Sequence, residues 1–562
     1  MISVILNWVY IGITTWICGF ACLTCYTHFF PYKIKRPAAV ILAGLVFVTV
    51  YAQFFSLIMG VGLLCNVILC GICLILAFAT RKRMWAFLCK TIFKKGKTAT
   101  GKRVAVFVFF LIAAYGTSRG YQHFDTGLYH AQSIRWIEEY GVVPGLAALQ
   151  ARFAYNSAAF PLTALYSMKF MTGQSLHTTA GFFAFISSTL LVDGIHIFSD
   201  KRISSSDLVR LGLLFYLGVI YSQMVSPASD YYAQLLLFDA VILWLSLQEE
   251  GEKQAQPYAL LCLLLVYAVT IKVSTGLMLL LVLIPLIKLI RDKEYRQIIV
   301  CILAGICILL PYLIRNVIIS GWLLYPSVLI DLFSPDWKIP RGQVAYDAME
   351  IGVYGKNIND VTKWNTPFCD WIGGWFRALK LLEKGLVILT LLSAIVGILY
   401  CAFILIKGIK KKAGDAGLFL AVLASALFWF LSAPLVRYGY AYLIILPCLC
   451  TGFFLQEYKE KQSEHRRVFI CVQVLVVLFI LTRVKGFLYD IRSTWQQPYY
   501  VWQKDYATEE AVTKEVSGIT FYVPVNNGQI GYDKFPSSLF VHEIELRGDT
   551  IKEGFRQAGG TK

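Results

Sequence analysis

Charge is scarce in this chain: Asp, Glu, Lys and Arg make up 15% of its 562 residues, against 57% hydrophobic residues. That scarcity excludes a disordered chain, which stays unfolded because it has many charges and few apolar groups. It also excludes a row of soluble domains, each of which needs a polar surface around its core. No alternating βα pattern of the Rossmann kind occurs, so nothing points to a nucleotide-sugar fold. Cysteine is present, at 15 residues, but all except Cys369 lie in or beside apolar runs, which excludes a secreted disulfide scaffold. Cys22-Leu23-Thr24-Cys25 has a redox or zinc spacing, yet it sits inside a lipid-length run without other ligands nearby.

What the sequence has in abundance is apolar runs long enough to cross about 30 Å of hydrocarbon. Spans are predicted at 4–29, 38–57, 60–79, 104–117, 176–198, 211–225, 231–247, 258–271, 276–290, 298–318, 385–406, 418–433, 441–455 and 468–481, about fourteen in all. The expected fold is therefore an all-α polytopic bundle. Counting alternate connections collects Lys33 to Arg36, Arg81 to Arg103, Lys201-Arg202, Arg291 to Arg296, Lys407 to Lys412 and Lys459 to Arg467 on one side. These hold about half of all Lys and Arg, so the positive-inside bias makes that side cytoplasmic and both termini external. The formal net charge of +18 is thus explained by topology, and no nucleic-acid partner is implied. The first span has no positive residue before it and several after it, as an uncleaved anchor would.

Residues 1–483 then form the multi-spanning domain, with polar pieces at 118–175 and 319–384 as outer loops and 484–562 as an extracytoplasmic tail. In the first loop Gly127 to Tyr140 reads as an amphipathic helix lying on the interface, with Glu138 and Glu139 on its solvated face. Phe160 to Met171 is apolar but short and broken by Pro161; a span there would invert every later loop, so a juxtamembrane helix is expected. The second loop is rich in Trp and Tyr, including Trp322, Tyr325, Trp364, Trp371 and Trp375, which suits interface anchoring and also a wall for stacking sugar rings. In the tail, Ile519 to Val523 reads as a strand, Asn526-Asn527-Gly528 as a turn and Gly548 to Gly554 as another connection, together a small mixed cap on the outer face.

A few ionisable residues stand at one membrane depth where charge is costly without a partner, water or a ligand. They are Asp230 in the Ser226 to Tyr232 turn, Lys272 in Thr270 to Gly276, Arg437 in Pro434 to Tyr440, and Arg315 at the outer end of its span. With Asp125 in His123-Phe-Asp-Thr-Gly-Leu-Tyr-His130 they would make one cluster in the outer leaflet. Three cations and two carboxylates facing the bilayer suit an amphiphilic phosphate or pyrophosphate, such as a lipid-linked sugar. Transfer from such a donor needs a base for the acceptor hydroxyl and positive charge for the departing phosphate. Plainer readings are open for each residue: Asp125 as a helix N-cap, Lys272 and Arg437 as snorkelling side chains, Asp230 as an ion-pair partner, Arg152 and Asn156 as loop braces.

The plan of many spans, a long first outer loop with an acidic residue, and later loops supplying cations resembles the GT-C superfamily of polyprenyl-phosphate-sugar-dependent glycosyltransferases. More narrowly, Asp125-Thr-Gly-Leu-Tyr-His130, Ile134-Arg-Trp-Ile-Glu-Glu-Tyr-Gly-Val-Val-Pro-Gly145 and Arg152-Phe-Ala-Tyr-Asn-Ser157 resemble stretches of bacterial membrane proteins linked with surface polysaccharide synthesis. The resemblance implies a GT-C-like bundle in the cell membrane and an inverting transfer at its outer face, from a polyprenyl-(pyro)phosphate-linked sugar to a glycan or lipid acceptor. Asp125 matches the superfamily's first-loop catalytic acid and would be the general base. Lys272, Arg315 and Arg437 match no strict motif; depth and charge assign them to the donor phosphate, with His123, His130, Arg152, Asn156 and Asp230 toward the substrates. No Asp-Asp, Asp-Glu or Asp-x-Asp pair occurs at Asp125, so a divalent metal on His123, Asp125 and His130 stays open, without a specific spacing to support it. Two other classes compete: a lipid-linked oligosaccharide polymerase or ligase, for which Arg341 and Arg377 are too few to decide, and a transporter or flippase, for which Asp193 and Asp239 lie within spans but no internal repeat is evident.

Overall fold

A computed structural model describes residues 1–91, 97–119, 122–194, 203–409, 413–457, 466–526, 528–539 and 541–558. The basic pair Lys201-Arg202, parts of the other basic connections (92–96, 410–412 and 458–465) and Asn527 of the expected turn lie outside the described residues. The helices are α1 (Ile2–Phe29), α2 (Pro37–Ser56), α3 (Leu63–Thr91), α4 (Lys97–Arg119), α5 (Ala131–Glu139), α6 (Ala159–Leu165), α7 (Lys169–Thr172), α8 (Thr179–Gly194), α9 (Ser205–Ile220) and α10 (Ser229–Glu249). They continue as α11 (Gln256–Ile271), α12 (Leu283–Arg291), α13 (Tyr295–Ser320), α14 (Arg341–Gly355), α15 (Phe368–Ala378), α16 (Leu381–Ile406), α17 (Ala413–Ser432), α18 (Val436–Glu457) and α19 (Arg466–Ser493). The segments expected to span fall mainly on these helices, except that 276–290 begins in a 3-10 stretch, Val273–Val282, which runs on into α12. Among the described residues ten helices are long and apolar enough to cross a membrane, and α8 and α11 are shorter apolar helices. The chain is a multi-spanning membrane protein.

Helix α10 is the hub. Its apolar stretch is 94% enclosed, whereas those of α3, α4 and α13 are 22% enclosed and leave most of their surface for lipid. Where α1 and α2 cross, Gly19 lies against the Val40 carbonyl and Gly44 against the Thr15 carbonyl, with no space for a Cβ at either glycine. Small residues let two backbones approach this closely where water supplies no drive to associate.

The bundle has two chemically distinct ends. At one, Lys35 and Arg36 pair with Glu250, while Arg210 donates to the Leu190 carbonyl at 3.1 Å and to Ser246 Oγ at 2.8 Å. At the other, the α1 amino terminus donates to the Tyr499 carbonyl at 2.6 Å, and Ser118 at the end of α4 joins the same strand of chain. Helix α19 runs on to Ser493, beyond the expected limit of the spans at 483.

Two first-loop expectations are corrected. The expected juxtamembrane helix at Phe160 to Met171 is two short helices, of which α6 is wholly buried in the protein while α7 keeps Phe170 and Met171 exposed. A seven-residue helix cannot satisfy its own last carbonyls, and here Asn7 Nδ2 donates to the Tyr166 carbonyl at 2.9 Å and Asn66 Nδ2 to that of Leu165 at 3.0 Å. Helix α5 is likewise covered, because the tail closes over it: Gln132 donates to the Lys534 carbonyl at 2.7 Å and Arg135 to those of Tyr532 and Asp533, both at 2.7 Å. Glu138 is accordingly not on a solvated face. Its carboxylate is enclosed with Tyr532 and Ser175, and burial pushes its pKa up against those hydrogen bonds.

The tail forms two small antiparallel hairpins, β1 (Ala511–Val516) with β2 (Ile519–Pro524), and β3 (Ile544–Leu546) with β4 (Phe555–Gln557). The expected strand at 519–523 and the connection at 548–554 are both present. Main-chain bonds from Ile530 and Gly531 to the Gly127 carbonyl, and from Phe555 to that of Pro144, seat the tail on the first loop.

Candidate functional site

Asp125 follows α4 and opens a π-helical turn, Thr126–His130. Such turns widen a helix and recur where a side chain is re-aimed at a functional site. The N-cap reading does not hold, since the Asp125 carboxylate caps no backbone N–H. It accepts instead from Arg437 Nη2 at 2.8 Å. The Arg437 Nε lies 3.2 Å from Asp230 Oδ2, and Lys272 Nζ pairs with Asp230 Oδ1. Lys272 also lies 3.7 Å from the centre of the Tyr438 ring, a cation–π contact that holds it beside the pair.

Four charges from four distant stretches of sequence therefore meet at the bundle end that holds the first long loop. They form a chain, Asp125 to Arg437 to Asp230 to Lys272. Its side chains are 24%, 19%, 7% and 21% exposed in that order, so the cations do not snorkel away and Asp230 has an ion-pair role. Arg437 Nε is also enclosed and, among the described residues, lacks a hydrogen-bond acceptor, because its approach to Asp230 is close but poorly aligned.

His123 belongs to this network. Its Nδ1 accepts from Arg437 Nη1 at 2.9 Å and from the Asp125 backbone N–H at 3.1 Å. Arginine can only donate, so Nδ1 must carry the lone pair and the ring is the neutral Nε2–H tautomer. Burial, then Arg437, hold the His123 pKa below its usual value. The 3.4 Å approach of His123 to Asp125 is consequently not an ion pair. At Asp125 burial, the largest influence, works to raise the pKa, and the charge and hydrogen bond of Arg437 together with His130 and His123 outweigh it, leaving the carboxyl below the ordinary carboxylate range.

The other expected site residues lie elsewhere. Arg315 is 2% exposed and bonds Asn156 Oδ1 at 3.0 Å and Ser56 Oγ at 2.5 Å, pinning α13 to the end of α2. The cavity beside it, lined by Ser133, Asn156 and Arg315, measures about 10 Å³, room for one water and not for a phosphate. Asn156 also donates to Asn316 Oδ1 at 3.0 Å, so it braces the loop. Arg152 faces Glu350 at 3.6 Å. His130 packs against Tyr129 and Phe160, and burial lowers its pKa to about 3, which leaves it neutral. Among the described residues no group of three or more His, Cys, Asp or Glu side chains is arranged to hold a metal ion.

Four contributors carried no charge to betray them in the sequence. Tyr438 contacts both cations, Thr126 Oγ1 and Ser226 Oγ join the first loop to the α10 turn at 2.6 Å, and Gln234 contacts the Arg437 backbone. The second-loop aromatics divide. Trp322 and Trp375 are buried and donate to the carbonyls of Ile339 and Pro434, both at 2.8 Å, whereas Trp364 lines a groove of about 330 Å³ with Met349, Lys356 and Ser432.

Fold and site together define a class: a polytopic membrane protein that gathers two acids and two bases at one end of its bundle. The chain belongs to the family described as "Domain of unknown function (DUF8201)", which it matches over residues 1–444, a range that contains Asp125, Asp230, Lys272 and Arg437. No curated protein and no solved structure matches it.

Proposed function

We propose that this protein is a membrane glycosyltransferase of the GT-C type, taking a sugar from a polyprenyl-(pyro)phosphate donor at the outer face of the cell membrane. The observation that carries the reading is the convergence of Asp125 with Arg437 and Lys272 where apolar helices of spanning length end. Arg437 offers a planar fork suited to phosphate, and among the described residues its enclosed Nε–H makes no aligned hydrogen bond beyond the 3.2 Å approach to Asp230. The donor phosphate competes with the two carboxylates for Arg437. As it takes the guanidinium it frees Asp125, whose basicity rises once the cation is shared.

Asp125 then accepts the proton of the acceptor hydroxyl while that oxygen attacks the sugar's anomeric carbon. The bond from that carbon to the phosphate oxygen breaks, and Arg437 and Lys272 take up the charge on the leaving phosphate. His123 holds Arg437 through Nδ1 and leaves its Nε2–H for a sugar oxygen.

Proteoliposomes supplied with a radiolabelled polyprenyl-phosphate sugar and an acceptor glycan test this directly. The wild type is expected to yield a new covalent product, and Lys272→Met a reduced yield. Movement of intact donor without product would place the protein among flippases, and a ladder of repeat units would place it among polymerases.

A further inference from the structure

Asp230 and Gln234 lie one turn apart on α10 and so share a face. Asp230 engages the side chain of Arg437; Gln234, 4% exposed, engages its backbone. Its Nε2 donates to the Arg437 carbonyl at 2.5 Å and its Oε1 accepts from the Ala441 N–H at 3.0 Å. Those two groups are the i and i+4 members of what would be the first hydrogen bond of α18 after Arg437. A side-chain amide that bonds both members of such a pair ties that turn to α10 from the side.

The same turn is tied from two further helices. Trp375 Nε1 on α15 donates to the Pro434 carbonyl at 2.8 Å, and Trp429 Nε1 on α17 to that of Leu435 at 2.9 Å. Gly439 lies flat on the Trp429 ring, where a Cβ would overlap it. The tryptophans hold the approach to the turn; Gln234 alone of the three reaches Arg437 itself.

We infer that Gln234 is the positioning residue of the site, fixing the Arg437 backbone so that one guanidinium reaches Asp125, Asp230 and His123 together. Its consequence for a phosphate ligand rests on the function proposed above; the placement itself does not. A buried polar amide is costly unless bonded, and here both its donor and its acceptor are used on one residue pair.

The test uses the full chain in nanodiscs with ¹⁵N-labelled histidine, the His123 signals being assigned with His123→Gln. Because His123 Nδ1 accepts from Arg437, its resonance reports where the guanidinium is. Gln234→Ala removes both bonds; Gln234→Glu keeps an acceptor for Ala441 and offers no N–H to the Arg437 carbonyl. In both, the Nδ1 signal is expected to move downfield toward a free imine nitrogen, and farnesyl phosphate is expected to bind about tenfold more weakly. A merely structural role would lower the unfolding midpoint and leave that signal in place, and an unchanged Nδ1 signal in either folded variant overturns the inference. If Gln234→Ala does not fold, Gln234→Glu decides alone. Should the wild type fail to bind farnesyl phosphate while Nδ1 still shifts on substitution, the positioning stands and the donor reading falls.

Discussion

Asp125 and Asp230 are chemically alike and differently placed, and their substitutions should separate. Asp125→Asn keeps an oxygen for Arg437 and loses the charge, so the chain should insert and fold while sugar transfer drops by roughly 10²- to 10⁴-fold, the contribution of a general base. Near-normal product from this variant removes Asp125 from the mechanism. Acid stability follows from the same pairing. The folded pKa of Asp125 lies below that of the unfolded chain, so its pairing stabilises the fold above about pH 4 and is lost as pH falls through the lower folded value. Unfolding midpoints of wild type and Asp125→Asn should therefore converge below that pH. Asp230 holds the more enclosed carboxylate and serves two cations; Asp230→Asn should cost about 3 kcal/mol by leaving Lys272 without a counter-charge. Adding Lys272→Met should recover part of the loss, and a double mutant no better than the single would show that the two side chains are not coupled.

Among the elements, α6 shows most clearly how polar side chains stand in for water. Replacing Asn66 by Leu strands the Leu165 carbonyl in an enclosed setting and removes the acceptor of the Tyr10 hydroxyl, so a loss of about 1–3 kcal/mol in unfolding free energy is expected, with Asn7→Leu similar. An unchanged midpoint in both would mean that other groups satisfy those carbonyls. The sequence disclosed a short helix here but not its enclosure, because its partners lie on α1 and α3, far away in the chain. Helices with long apolar runs were legible, since each announces itself locally. So were Asp125, Asp230, Lys272 and Arg437: a charge at the end of an apolar run is conspicuous, and alternation of the spans sets its depth. Depth is only one coordinate, however. Arg315 shares it and faces α2 instead of α10, an azimuth that hydropathy does not encode. Gln234 was missed because an uncharged amide in such a run gives no comparable signal. In the tail, β2 shows period-two residues over six positions, whereas three-residue β3 and β4 are too short to show any.

At the scale of the whole molecule, the site, the amino terminus, the second loop and the tail occupy one end of the bundle, and the paired basic residues Lys35, Arg36 and Arg210 the other. The positive-inside bias predicts the second end in the cytoplasm, and on that orientation Asp125 faces outside. Two native cysteines report on this without any added tag. Cys369, at the start of α15 in the second loop, and Cys89, near the end of α3 in the basic stretch, are both exposed. In intact cells or spheroplasts a membrane-impermeant maleimide should label Cys369 and spare Cys89 until the membrane is permeabilised, with Cys369→Ser and Cys89→Ser identifying the bands. The reverse pattern would turn the site toward the cytoplasm, where a lipid-linked donor meets different acceptors, and the outer-face transfer would have to be abandoned even if the four charges still meet.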